Sequence, residues 1–157
     1  MAKVDILQSK RNHHLFYNVD QAVGKNAPNR RDDVLLVQYL LKNAVNSFPK
    51  VFNWSLLNYP VDGRWDRNWG GLLTAYIMEH AAIGNKMVAD DRVDPAVGGQ
   101  VTGPIHHMQL IIVVLNLQYG DLRPNDYPRI AQVGDCPGEL QPLLKWEVLT
   151  NPARRTP

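Results

Sequence analysis

The stretch "VDGRWDRNWGG", Val61–Gly71, decides how the chain is read. Asp62-Gly63 is a turn dipeptide: an Asp side chain can bond its own backbone two residues on, and Gly tolerates positive φ. The segment that follows, "NWGGLLTAYIMEHAAIG", places Leu72, Leu73, Tyr76, Ile77 and His80 at three- and four-residue steps, with Gly84 in the position of a helix stop. The spacing predicts a turn that opens an amphipathic helix. Two chemical readings of the same stretch are weaker. A calcium loop needs an oxygen ligand where Arg64 stands. A glycosidase pair from Asp62 and Asp66 would have Arg64 and Arg67 beside it, which favours ion-paired or solvated carboxylates over a tuned acid and base.

Upstream, "DDVLLVQYLLKNAV" carries Val34, Val37, Leu41, Ala44 and Val45 on one helical stripe, widened by Leu36 and Leu40, with Asp32 or Asp33 as the expected cap. "HHLFYNV" (13–19) reads as an extended arm. Downstream, "TGPIHHMQLIIVVLNLQYG" (102–120) reads as a third helix, with Thr102 as cap, Pro104 in the first turn and Gly120 as its end. A short last helix is expected from Asp135, limited by Pro142, and Leu140, Leu143, Leu144 and Trp146 are spaced to pack on something.

The composition narrows the function. Hydrophobic content of 45% with 20% charge places the 157-residue chain among globular proteins with a buried core. A net charge of +2 gives no pull toward nucleic acid or an anionic membrane surface. The longest apolar run, "LIIVVL" (110–115), is too short to span a bilayer, so membrane insertion is not expected. The N-terminal residues lack the apolar core of a secretory signal, so the chain is expected to be cytoplasmic as synthesised, with any export by a non-classical route. Cys136, the single cysteine, allows no internal disulfide and has no nearby base to make it a nucleophile. The histidine doublets His13-His14 and His106-His107, with His80, lack metal-ligand spacing, and no phosphate-loop or dinucleotide motif occurs. No catalytic residue, metal or cofactor is expected.

The order Val23-Gly24, Asn29, Asp33-Val34, Val37-Gln38, Leu40-Leu41, Asp62-Gly63, then Asp90 to Pro95, resembles the peptidoglycan-binding-like domains of bacterial wall proteins, in their longer stand-alone variant. The likeness covers residues 19–119. It implies a mainly α fold: a three-helix core with a short N-terminal extended arm within residues 1–119, and a C-terminal extension, 120–157, packed on the same domain. It also implies a non-catalytic binding module. Asp66-Arg67 stand where such domains carry Gly-Pro, Trp69 stands at a Thr, Tyr76-Ile77 at Phe-Gln, and Asp91 at a Gly. The resemblance puts Trp65 at a buried aromatic position and leaves Trp69 as the preferred contact residue.

The expected ligand surface is therefore Asp62, Arg64, Asp66, Arg67 and Trp69, with Trp54 and Tyr59 as neighbouring aromatics suited to sugar faces or protein anchors. Its ligand is a peptidoglycan fragment, in an accessory to a cell-wall, secretion or toxin system. The alternative is a partner protein, with the chain as adaptor or immunity protein. A small hydrolase using Asp62 and Asp66, or His106 and His107, ranks third.

Overall fold

A computed structural model of the chain describes residues 1–8, 13–48, 58–103 and 108–145. The described residues are mainly helical, with two small two-stranded sheets. Strand β1 (Lys3–Gln8) pairs antiparallel with β2 (His13–Asn18), Lys3 opposite Asn18 and Gln8 opposite His13. The extended arm expected at 13–19 is thus one half of a hairpin. Its partner β1 has no strong alternation of its own to announce it.

Helix α1 (Arg31–Ala44) occupies the centre. Every residue from Asp33 to Leu41 is buried, so the apolar stripe read from sequence is only part of a helix covered on all sides. Neither Asp32 nor Asp33 caps it. Arg30 takes the cap position without a side-chain bond, and the two acids face back along the chain. Asp33 accepts from the backbone N–H groups of Asp20 (2.9 Å) and Gln21 (3.1 Å), and Asp32 accepts from Ala2 N–H at 2.7 Å. Burial raises the Asp33 carboxyl above its ordinary range, with those two donors opposing the shift.

Strand β3 (Val23–Gly24) reaches across to β4 (Arg92–Val93), Val23 opposite Val93 and Gly24 opposite Arg92. Gly24 has φ +127°, and a Cβ there would stand 2.3 Å from the Asp91 carbonyl oxygen, so the close approach requires glycine. Helix α2 (Arg67–Ala82) starts and stops where the sequence indicates, with Gly84 at φ +88° after it. Helix α3 (Ile111–Leu122) packs on α1 and β2. It begins nine residues later than Thr102, which instead bridges to Gln109, and it runs through Gly120. Residues 104–107, including His106 and His107, lie outside the described residues.

The segment after α3 folds as a 3-10 stretch, Tyr127–Gln132, followed by turns. No helix starts at Asp135, because that carboxylate is taken by Tyr39 (2.8 Å) and Arg123 (2.9 Å). Ile130, Cys136, Leu140 and Leu144 are nevertheless buried in the same cluster as the three helices. Trp146 lies outside the described residues.

His80, in the last turn of α2, is a buried polar residue inside this core. Its ring packs edge-on against Tyr76 (4.7 Å) and Phe48 (5.2 Å), and its Nδ1 lies 2.9 Å from Asn85 Nδ2. Burial pushes the imidazole below its ordinary 6.5, with Gln118 partly opposing. A base whose folded pKa lies below its unfolded one binds fewer protons when folded. Stability is then full above the unfolded pKa, about 6.5, and falls as pH drops from there toward the folded value. Denaturant unfolding between about pH 7.5 and pH 5 should show this fall, and His80→Gln should flatten it; an unchanged slope in the variant would refute the assignment.

Candidate functional site

The turn of Asp62–Arg64 is built by a residue of α1. Gln38, with no exposed surface, accepts from the N–H groups of Asp62 (3.1 Å) and Gly63 (2.9 Å) through its Oε1. Its Nε2 donates to the Arg64 carbonyl (2.8 Å) and, more weakly, to Asp62 Oδ1 (3.4 Å). Asp62 Oδ1 also accepts from Arg64 N–H at 3.0 Å, the local Asp bond expected of the turn. Gly63 has φ +76°, and a Cβ on it would meet the Arg31 side chain at 2.8 Å. Arg31 itself donates to the Asp62 carbonyl (2.7 Å) and grips Glu139 with two parallel bonds of 2.9 and 2.7 Å. That grip holds the Glu139 carboxyl below its ordinary range.

Asp66 then caps α2, its Oδ1 accepting from Trp69 N–H at 3.0 Å. The cap fixes where the helix begins, and so which residues face inward. Trp69 is only 1% exposed, donates from Nε1 to the Pro60 carbonyl at 3.2 Å and meets the half-buried Tyr59 edge-on at 5.8 Å. Trp69, expected as an exposed contact residue, is instead buried: the helical register that Asp66 sets turns its indole into the core. Trp65, expected to be buried, is only partly so. It is half-buried and packs against the core from outside, with its Nε1 3.8 Å from where a Cβ on Gly70 would stand.

Of the expected contact residues, Arg64, Asp66 and Arg67 are exposed, but the Asp66 carboxylate is committed to the cap and Asp62 to the turn. Neither Arg64 nor Arg67 forms an ion pair among the described residues. Trp54 lies outside the described residues. Arg64, Arg67, Asn68 and the Asp66 carboxylate face solvent here, beside the half-buried Trp65.

Arg31 and Glu139 were not singled out from sequence, and Gln38 was named only among the residues that carry the resemblance, without its role at the turn. One signal for Gln38 was present: a lone amide within "LLVQYLL" must find buried partners. A second polar cluster was also missed. The Tyr39 and Tyr119 hydroxyls lie 2.9 Å apart, Tyr39 donates to Asp135, and Arg123 binds Asp135 and Asp126 while its guanidinium sits 5.4 Å from the Tyr119 ring centre. Burial raises both phenols, so neither titrates near neutrality. Cys136 is buried, and burial with the nearby Asp135 charge pushes its thiol up to about 11, leaving it protonated and inert at neutral pH. Among the described residues no group of three or more His, Cys, Asp and Glu side chains is placed to hold a metal ion. No helix among them is long and apolar enough to cross a membrane.

No family model, curated protein or solved structure matches the chain.

The geometry separates folding roles from contact roles at this turn. Gln38→Ala strands two backbone N–H groups and should lower stability by about 2–4 kcal/mol. Trp69→Ala removes a fully packed indole and should cost about 3–5 kcal/mol. Arg64→Ala should stay within about 0.5 kcal/mol of the parent. Urea unfolding of the three variants checks the ranking; a Trp69→Ala protein as stable as the parent would return that residue to the surface.

Proposed function

We propose that the chain is a non-catalytic binding module on a scaffold similar to that of peptidoglycan-binding-like domains, and that its ligand is a partner protein in a bacterial wall, secretion or toxin system. One observation carries the scaffold reading. The residues that carry the resemblance are scattered in sequence yet close on each other in pairs: Gln38 on Asp62-Gly63, Val23-Gly24 on Arg92-Val93, and the Asn29 amide on Gly24 through bonds of 2.7 and 3.0 Å. These pairings account for why such residue types recur in that order.

Binding of a partner protein, in place of the wall, is favoured by the use made of the departures from the family pattern. Trp69 and Asp66 serve the core and the helix cap, so Trp69 offers no aromatic face there to a sugar ring. The free side chains, Arg64 and Arg67 beside Trp65, are of the types that anchor protein interfaces. A wall fragment held by the Trp65 rim is the second reading. The non-catalytic reading is supported by the engagement of Asp62 and Asp66 in backbone bonds and by the protonated Cys136 thiol.

Sedimentation with purified insoluble peptidoglycan at moderate salt separates the two ligands. The chain is expected to stay in the supernatant, and to co-purify from its host with a stoichiometric protein that Arg64→Glu with Arg67→Glu releases. Pelleting with the wall that Trp65→Ala abolishes would reverse the assignment.

A further inference from the structure

The segment after α3 borders a groove of about 520 Å³ between its 3-10 stretch and its final turns. Arg129 and Lys145 flank it, both exposed. Pro128, Pro142, Gln132 and Gln141 also line it. The carboxylates of this segment among the described residues are engaged elsewhere: Asp126 and Asp135 by Arg123, and Glu139 by Arg31. Arg129 and Lys145 have no ion-pair partner among the described residues.

We propose that this groove docks an acidic, extended peptide segment of a partner protein, with Arg129 and Lys145 taking its carboxylates. Charge complementarity selects the sign. The described acids of the segment are held by other arginines, which leaves the charges of Arg129 and Lys145 to a ligand. The shape selects a peptide over a lone oxyanion. The volume lies inside the range of about 300–1,000 Å³ that holds an extended ligand of several residues. Gln141 Nε2 is spent on the Cys136 carbonyl at 3.2 Å, which leaves its Oε1 to accept from a peptide N–H. The Gln132 amide supplies a donor and an acceptor, and the prolines offer dry walls to small apolar side chains between the acids. No residue of the Arg64–Arg67 rim lines this groove, and the proposal does not depend on what that rim binds.

The probe is a short fluorescein-labelled peptide of alternating Glu and Leu, titrated with the full chain and read by fluorescence anisotropy, beside the matching Gln-Leu peptide. Saturable binding of the acidic peptide alone is expected, weakening as salt is raised. Arg129→Glu with Lys145→Glu should weaken it by on the order of tenfold or more, and the milder Arg129→Gln with Lys145→Gln by less. Lys25→Glu with Lys86→Glu changes the net charge equally at exposed sites elsewhere and should leave the affinity within about twofold. Absence of binding, or equal losses in both charge-reversed proteins, overturns the proposal. Binding seen only in a chain ending at Lys145 overturns it too, because the groove would then belong to residues 146–157 of the same chain.

Discussion

Gln38 lies in the middle of α1 with no exposed surface, and a primary amide so placed must satisfy both its donors and its acceptor or cost the fold several kcal/mol. It does so on the backbone of Asp62, Gly63 and Arg64. Much of the architecture follows from that constraint. With the turn pinned to α1, Asp66 arrives where it can cap α2. The capped helix then faces Trp69, Leu73, Tyr76 and His80 inward along one side. The Gln38 amide thus fixes the direction of a helix that begins nearly thirty residues away in sequence, and through it the closure of the core.

The same device recurs. Asn18 donates to the Ala96 carbonyl and accepts from its N–H, Asn29 does the same with Gly24, and Asn116 does so with Tyr17. A side-chain amide offers a peptide-like donor and acceptor, so each of these pairs acts as a strand of one residue. The chain has reason to use them. β3 and β4 are two residues each, too short to join distant segments by ladder bonds alone. In a dry interior each amide pair also specifies one register, since a slip leaves two buried polar groups unpaired. This is why positions that look like isolated polar residues in apolar runs, Gln38 in "LLVQYLL" and Asn116 in "VVLNLQ", are joints between segments.

The elements legible in sequence were those whose signals are local. Helix α2 was readable from its Asp-Gly turn, apolar spacing and Gly84, because its cap and stop use neighbours in the chain. The start of α3 was not. Thr102 and Pro104 carry the residue types of a helix start, but Thr102 is drawn into a bridge with Gln109, and the helix opens after Leu110 with no side-chain cap. Asp135 has the chemistry of a cap and was claimed by Tyr39 and Arg123, residues 96 and 12 positions away. At the candidate surface, Asp62-Gly63 was readable as a turn, while the fate of Trp69 was not: its exposure depends on the helix register, which Asp66 sets. In each case a partner distant in sequence, or the register of a whole helix, outweighed the local preference.

A chain with 17 basic and 15 acidic residues is nearly neutral by count, yet its surface need not be. The acids here are largely consumed by the fold. Asp32 and Asp33 hold backbone N–H groups at the entry to α1, Asp62 and Asp66 shape the turn and cap, and Asp91 accepts from the Thr74 hydroxyl. Asp126, Asp135 and Glu139 each bind an arginine that is itself structural. Carboxylates suit such work because they accept several bonds from backbone donors at once, which no lysine can do. Arg64, Arg67, Arg129 and Lys145 form no ion pair among the described residues. Their charge is left to the solvent, so a near-zero net charge coexists with cations that form no such pair.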